Sequence, residues 1–282
     1  KLLERRGEEK TILVATSGDT GGAVAAAFWK RKNLKAKVLF PKGRVAERQR
    51  AQLTTWGENI ESYEVDGSFD DCQKMVKEAF MDKSITSGLS SSNSINIGRL
   101  LPQMAYYAYA SEMYLAIYGE KPVIIVPSGN VGNVTGCFWA KAMGYPIERI
   151  VMATNANRTI PDYLESGEYK PRASVKTLAN AMDVGAPSNM ERLFDMFPTF
   201  EDFSASVSAK SVSDSEIQRT IKEVYEENNY IICPHTACGE RVRRDYFSSS
   251  PTMVVSTAHP AKFDTIVEPL IGTSIPIPKN LW

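Results

Sequence analysis

The segment that decides the fold is residues 123–133, which read VIIVPSGNVGN. A compact apolar run passes directly into a turn rich in glycine and asparagine, and a small-residue stretch with helical character follows at 134–143. Strand, glycine turn and helix, in that order, aim several free backbone N–H groups at one point in space. The segment therefore predicts a binding place for a phosphate or carboxylate.

A second segment of the same design lies at residues 12–22, ILVATSGDTGG, and opens into the small residues 23–28. Two such loops in one α/β chain predict a ligand with two anionic ends. For each loop the alternative is an ordinary βα turn with a helix cap, and Asp19 would be the capping residue of the first.

The composition places the chain among soluble globular proteins. It has 282 residues, enough for one large domain or two modest ones, and 43% of them are hydrophobic. Lys and Arg number 33 and so do Asp and Glu, which argues against nucleic acid or an anionic membrane as a partner. No apolar run approaches the roughly 18 residues that cross a bilayer, and no signal peptide is evident, so we expect a cytoplasmic location.

The cysteines and histidines argue against a metal site. The four cysteines form no C-x-x-C pair and there are only two histidines. We expect reduced, mostly buried thiols. The residues are Cys72, Cys137, Cys233, Cys238, His235 and His259.

Apolar strands and amphipathic helices alternate along the chain, which predicts an α/β fold with mostly parallel sheets flanked by helices. Strands are expected at 11–15, 36–40, 60–65, 123–126, 150–154, 230–233 and 253–256. Helices are expected at 23–31, 45–56, 70–80, 95–118, 134–143, 214–227 and 261–271. The turn at 119–122, Gly-Glu-Lys-Pro, predicts a boundary between a domain 1–118 and a domain 119–282. The serine-rich stretch 200–213 reads as a surface loop or as a junction across missing residues.

Two further segments carry polar side chains at the ends of predicted elements. In residues 90–99, SSSNSINIGR, Arg99 follows Asn96 by one helical turn, so both side chains can face one phosphate. The alternatives are a helix cap and a solvated arginine.

In residues 253–263 a strand ends in Ser-Thr, which puts hydroxyl groups at the carboxyl edge of the sheet. His259, before a proline, is more typical of a loop or core histidine than of a catalyst.

The common nucleotide and hydrolase motifs are absent from the sequence. There is no G-x-G-x-x-G, no Gly-Lys dipeptide of a Walker A loop and no G-x-S-x-G elbow. The anion loops must therefore serve another ligand.

Taken in chain order, the segments resemble the threonine synthase family, in particular its longer bacterial and fungal branch with the threonine-synthase-like proteins. The motifs that carry the resemblance are ATSGDTG at 15–21, NSIN at 93–96 with Arg99, PSGNVGN at 127–133, ATN at 153–155, NAMD at 180–183, PHTA at 234–237 and TAHPAKF at 257–263. The resemblance implies a pyridoxal 5′-phosphate (PLP) enzyme of fold type II, the tryptophan synthase β-like fold. It further implies that 1–118 is the smaller, mobile domain and that 119–282 binds the PLP phosphate.

The resemblance also implies roles for particular residues. The PLP phosphate would be held by Gly129, Asn130, Val131, Gly132 and Asn133, and the pyridine nitrogen would meet Thr257. The substrate carboxylate would be held by Ser17, Asp19 and Thr20, and the substrate phosphate would face Asn96 and Arg99. The implied reaction converts O-phospho-L-homoserine and water into L-threonine and phosphate.

The sequence departs from the family at the Schiff-base lysine. In the family this lysine lies in a His-Gly-Pro-Thr-x-x-Phe-Lys-Asp motif upstream of the first glycine-rich loop, and residues 1–282 contain no such motif. We expect the lysine upstream of Lys1, in a longer protein, and we expect the present chain alone to be inactive. Lys262, in Ala-Lys-Phe-Asp, belongs to the C-terminal motif and is not assigned this role.

Other functions stay open at this point. One is a phospho-lyase acting on O-phosphothreonine or O-phosphoserine, as in the synthase-like proteins. Another is a natural truncation that lacks the lysine and only binds anions or regulates. In each case the expected partner is a small phospho-amino acid, with no metal ion, and the chain is expected to be a monomer or a homodimer.

Overall fold

Eight strands form two separate parallel sheets of four strands each within residues 5–279, the residues that this computed structural model describes. The chain divides into two units, Lys1–Arg99 and Leu100–Trp282, and each unit contains one sheet. The outer ends of the two predicted domains, at 1–4 and 280–282, lie outside the described residues.

The first unit contains strands β1 to β4 in the order β3-β2-β1-β4, all parallel. Its core cluster combines the inner strands with the first helix and includes Val14, Val24, Val38 and Phe40. The strands are β1 (Lys10–Ala15), β2 (Leu34–Pro41), β3 (Ile60–Val65) and β4 (Leu89–Ser91). The helices are α1 (Asp19–Phe28), α2 (Glu47–Thr54), α3 (Phe69–Met81) and the short α4 (Ile97–Leu100), which reaches the unit boundary; Thr86–Gly88 forms a 3-10 turn.

The second unit contains strands β5 to β8 in the order β7-β6-β5-β8, again all parallel. Its strands are β5 (Val123–Pro127), β6 (Arg149–Thr154), β7 (Ser208–Ser211) and β8 (Thr252–Val254). Its helices are α5 (Gln103–Tyr118), α6 (Gly132–Ala142), α7 (Thr159–Ser166), α8 (Met190–Met196), α9 (Phe200–Ser206), α10 (Asp214–Asn228), α11 (Pro234–Tyr246) and α12 (Asp264–Ile271). Asn180–Met182 and Pro260–Phe263 form 3-10 turns.

The unit boundary lies after Arg99, whereas the turn at 119–122 favours a boundary at 118. The helix between these points explains the difference, because Tyr107 of α5 is buried in the core cluster of the second unit beside Ile124 and Phe138. The single helix predicted over 95–118 is in fact two, α4 and α5, with Pro102 between them. A proline inside a helix removes one hydrogen bond and clashes with the preceding turn.

Two segments differ from the sequence-based predictions. Residues 230–233 form no strand but an extended link from α10 to α11, and β8 takes the place beside β5. Residues 200–213 are neither a loop nor a junction, since they form α9 and β7. The Thr199 hydroxyl accepts a hydrogen bond from the Asp202 N–H (3.1 Å) to begin α9, and Phe203 is fully buried.

None of the helices described within residues 5–279 combines the length and the hydropathy that crossing a membrane requires.

Candidate anion-binding site

The strands β1 and β5 hold the same position in their two sheets. In each sheet the chain adds strands on one side of this strand and later returns to pair on its other side, so β1 and β5 lie at topological switch points. Open parallel sheets bind ligands beyond the carboxyl ends of their strands at such points. Both glycine-bearing loops predicted from the sequence begin there, after Ala15 and after Pro127.

The loop after β5, residues 128–131, presents backbone N–H groups at the start of α6. Val131 adopts the left-handed conformation, with φ 66° and ψ 0°, and α6 begins at the next residue. The backbone N–H groups of Val131, Gly132 and Asn133 donate no hydrogen bond to any residue within 5–279. A left-handed residue followed by right-handed helix forms a concave set of N–H groups that suits an anion.

Side chains hold this loop in place without using those N–H groups. The Asn133 amide donates to the Pro127 carbonyl (2.9 Å), and its oxygen accepts from the Ser128 hydroxyl (2.6 Å). The Val131 carbonyl accepts from both the N–H (3.0 Å) and the hydroxyl (2.7 Å) of Thr135, which fixes the first turn of α6. The loop is therefore set before any ligand arrives.

Asn130 fastens the loop to a segment far away in sequence. Its side-chain oxygen accepts from the Ser188 N–H (2.7 Å) and hydroxyl (3.0 Å). Its carbonyl oxygen accepts from the Asn189 amide (2.8 Å), and the Asn189 side-chain oxygen accepts from Arg192 (2.9 Å). Asn130 thus braces the loop in this structure, a function that its place in the motif did not reveal.

Gly129 allows the loop to approach the 3-10 turn Asn180–Met182. A Cβ atom at Gly129 would lie 2.6 Å from the Met182 Cα atom, a backbone atom that no rotamer change can move away. Only glycine is compatible with this approach.

A buried polar cluster lies directly behind the same turn. The Asp183 carboxylate accepts from the Thr177 hydroxyl (2.7 Å) and N–H (3.0 Å) and from the Asn155 amide (2.8 Å). Burial raises the pKa of Asp183 to about 6, although the hydrogen bonds from Thr177 and Asn155 and the nearby His235 act to lower it. The motif NAMD therefore holds a titratable group that supports the loop from behind.

Thr257 lies three residues beyond β8, and β8 pairs directly with β5. Its side chain is exposed and lines a cavity of about 540 Å³ together with Cys233, Ser256 and His259. The Thr257 hydroxyl makes no hydrogen bond with any residue in 5–279 and is available to a ligand. His259 caps the turn Pro260–Phe263 by accepting from the Ala261 N–H (3.2 Å), which is a structural use.

The loop after β1 is organised around the hydroxyl of Thr16. That oxygen accepts from the N–H groups of Gly18 and Gly21, both at 3.0 Å, and donates to the Gly18 carbonyl (3.0 Å). Gly18, at φ 151°, is the residue before α1, and Asp19 is the first residue of the helix rather than its cap. A Cβ at Gly18 would lie 2.5 Å from the Gln49 side-chain nitrogen, which donates to the Asp19 carboxylate (3.1 Å).

The structure brings together some of the predicted substrate residues of the first unit. Arg99 donates to the Thr20 hydroxyl (3.3 Å), and Asn96 and Arg99 line one cavity of about 260 Å³ beside α1. The Asn96 amide also makes local bonds, to the Ser91 carbonyl (2.9 Å) and from the Gly98 N–H (3.0 Å). Ser17 is half-buried in the preceding turn.

Comparison with known proteins gives consistent results. A profile of the family described as pyridoxal-phosphate dependent enzyme matches residues 1–248. The chain is 42% identical over 283 residues to threonine synthase of Buchnera aphidicola subsp. Acyrthosiphon pisum, covering 99% of this chain and 66% of that protein. The chain spans about two thirds of the length of the curated relatives it matches.

Solved structures agree with the sequence comparison. The crystal structure of threonine synthase from Escherichia coli matches with a TM-score of 0.90 at 39% identity, covering 99% of this chain and 66% of that chain. A PLP-bound threonine synthase from Brucella melitensis matches with a TM-score of 0.86 at 36% identity, with the same coverage.

Proposed function

We propose that this chain, which belongs to the family of pyridoxal-phosphate dependent enzymes and has their type II α/β fold, is the greater part of a threonine synthase. The proposed reaction converts O-phospho-L-homoserine and water into L-threonine and phosphate. The observation that carries the proposal is the set of three consecutive N–H groups, at Val131, Gly132 and Asn133, without partners within residues 5–279 at the end of a switch-point strand.

The residues of the second unit fit the cofactor. The three N–H groups would donate to the phosphate of PLP, and the start of α6 adds favourable partial charge. Gly129 and Asn130 would keep the loop in position, since each is tied to a neighbouring segment. When bound, PLP supplies an electron sink for carbanion chemistry next to the amino group. Thr257 would face the ring nitrogen with a neutral hydroxyl, which leaves the ring less electron-withdrawing than a carboxylate partner would.

The residues of the first unit would bind the substrate. Arg99 offers a guanidinium fork suited to a phosphate, beside Asn96 in the same cavity. Thr20 is held by Arg99 and, with Ser17 and Asp19, would position the substrate carboxylate. Residues 1–282 contain no motif that matches the family's Schiff-base lysine, so we propose binding without turnover for these residues alone.

Binding is tested with pyridoxine 5′-phosphate, an alcohol that forms no Schiff base with surface lysines. We expect calorimetry to detect binding of pyridoxine 5′-phosphate and at least about tenfold weaker binding of pyridoxine, because the N–H groups act on the phosphate. Gly129→Ala should abolish the difference, while Gly88→Ala, where a Cβ meets open space, is the matched control. Equal affinity for the two ligands in the unaltered chain would rule out the phosphate site.

Turnover is tested on the full-length gene product. We expect the protein to convert O-phospho-L-homoserine into threonine and phosphate. Formation of 2-oxobutyrate from O-phosphothreonine would favour a phospho-lyase instead. Arg99→Ala should raise KM for the phosphorylated substrate at least about tenfold and leave the affinity for pyridoxine 5′-phosphate unchanged. An unaltered KM would place the substrate phosphate elsewhere.

A further inference from the structure

Cys233 lies at the start of α11 and accepts hydrogen bonds there. It is the cap residue of this helix, and its sulfur accepts from the Thr236 N–H at 3.4 Å. The Thr236 hydroxyl is 3.2 Å from the same sulfur. Sulfur thus occupies the place where serine, threonine or aspartate oxygen usually stands, at the positive end of a helix of 13 residues.

His235 supplies an independent observation. Its Nε2 atom accepts from the Ala181 N–H at 3.1 Å, so a neutral ring carries its proton on Nδ1. The side chain is only 3% exposed, and Nδ1 is buried without a hydrogen-bond partner of normal geometry among the described residues. The Phe263 ring packs against the imidazole, with ring centroids 4.9 Å apart. The imidazole lies near enough to the Cys233 thiol to act to lower its pKa.

The four cysteine thiols differ in the direction in which their surroundings shift the pKa. Burial raises the pKa of the Cys72 thiol to about 12 and raises the pKa of Cys137 and of Cys238 further. Burial also acts to raise the pKa of Cys233, but the neighbouring imidazole of His235 and the hydrogen bonds from Thr236 outweigh it, and the pKa lies below the ordinary thiol value.

The ionisable groups around Cys233 are few. His235 favours the thiolate, and Cys238, one turn further along α11, interacts with it unfavourably when both are charged. Asp183 lies behind His235 and interacts with it electrostatically. The hydroxyls of Thr236 and Ser256, which are 3.3 Å apart, continue the polar contacts toward the end of β8.

Small molecules can reach Cys233 through a cavity. Cys233 has no exposure to bulk solvent, but it lines the cavity of about 540 Å³ that also contains Ser256 and Thr257. A ligand pocket typically has about 300–1,000 Å³, so a small electrophile fits here easily.

We propose that Cys233 is a nucleophile that takes covalent modification by small uncharged electrophiles entering this cavity. With iodoacetamide the thiol proton leaves to solvent, the sulfur lone pair forms an S–C bond, and the C–I bond breaks to release iodide. The adduct would occupy space beside Thr257. Its further effect, weaker binding of the cofactor ring, rests on the proposed function.

The test measures alkylation of each cysteine by iodoacetamide between pH 5 and 9, by peptide mass spectrometry on the native chain without cofactor. We expect Cys233 to react at least about tenfold faster than Cys238 at pH 7, with a midpoint at lower pH than that of Cys238. Cys238 is the internal control, because it lies on the same helix, is equally buried and reacts only when the chain opens. His235→Gln, which keeps an acceptor for the Ala181 N–H, should raise the Cys233 midpoint, because it removes the imidazole that acts to lower the pKa of the thiol.

Three results would overturn the proposal: no alkylation of Cys233 in the native chain, alkylation of Cys233 and Cys238 at one common rate, or a midpoint unchanged by His235→Gln.

A separate experiment repeats the alkylation in the presence of pyridoxine 5′-phosphate. Slower alkylation of Cys233 would support the shared cavity. If pyridoxine 5′-phosphate binds but the alkylation rate of Cys233 does not change, the cofactor ring does not lie beside Thr257. The proposal that Cys233 is reactive would be unaffected by that result.

Discussion

The two glycine-bearing loops begin at equivalent strands but use their backbone N–H groups in different ways. In the loop after β1, two N–H groups donate to the hydroxyl of Thr16, so part of the donor set is used inside the loop. In the loop after β5, three consecutive N–H groups from Val131 onward donate to nothing within residues 5–279. There the bracing falls to side chains, chiefly Asn130 and Asn133.

The difference shows that a glycine-rich strand-to-helix turn is not sufficient to define an anion site. The position of the bracing groups decides whether the N–H groups face inward or stay available. A hydroxyl that accepts from these N–H groups satisfies them, whereas side chains that bind carbonyl groups or neighbouring segments leave the N–H groups open. On this basis the second loop is the stronger candidate for the proposed phosphate site, and the first would contribute mainly side chains.

The largest expected effect is at Gly129. Gly129→Ala puts a methyl group 2.6 Å from the Met182 Cα atom, so the loop or the turn must move, at a cost of at least about 3 kcal/mol in unfolding free energy. Urea unfolding measures this cost, with Gly88→Ala as the control that should change little. A Gly129→Ala chain as stable as the original would mean that the second loop is not held by the turn.

The next effect is a pH dependence specific to the second loop. Asp183 has a pKa of about 6 in the folded chain and about 3.9 when unfolded, so the folded state holds its proton more tightly. Its contribution to stability is full below about pH 4 and is lost as the pH rises through 6, a loss of about 3 kcal/mol.

The measurement compares urea unfolding of the original chain with that of Asp183→Asn at several values between pH 4 and 7. The stability of the original relative to the variant should fall over this interval and stay level above it. A constant difference at every pH would show that Asp183 titrates normally.

The sequence predicts one strand with correct bounds even where its residues are mixed. The strand at 60–65, in which apolar residues are interspersed with Glu61, Ser62 and Glu64, agrees with β3 at both ends, and the α/β type II fold class is confirmed. The run 230–233 is more apolar but joins two helices, because local hydrophobicity alone does not define a strand. In the serine-rich stretch 200–213, α9 begins at the Thr199 cap and buries one side chain, Phe203, and neither feature stands out among the serines.

The candidate site was less accessible to sequence reasoning for a different reason. The loop could be found from its glycines and asparagines, but its supports are distant: Ser188 and Asn189 lie almost 60 positions from Asn130. Glycine and asparagine are the residues that favour left-handed backbone, but in this loop it is found at Val131, a β-branched residue. Tertiary contacts, which no local pattern encodes, impose this conformation.

A smaller effect tests the first loop. Thr16→Val keeps the shape of a side chain that is 1% exposed, but it removes the acceptor for the Gly18 and Gly21 N–H groups. We expect about 2 kcal/mol less stability, because buried donors are left without partners. Thr16→Ser, which retains the hydroxyl, is the control and should recover most of the loss. If the valine and serine variants were equally stable, the hydroxyl would not organise this loop.

The smallest expected effect is at Val131, where two opposing contributions nearly cancel. Val131→Gly relieves a left-handed conformation that costs a β-branched residue roughly 1–2 kcal/mol, and it removes a side chain that is only 1% exposed. We expect the unfolding free energy to change by less than about 2 kcal/mol, compared with a larger loss for Val134→Ala in the same core. A loss at Val131 as large as that at Val134 would mean that the left-handed turn carries no strain. The second loop would then keep its N–H groups open without a conformational cost. It would resemble in this respect the first loop, whose N–H groups donate to the Thr16 hydroxyl.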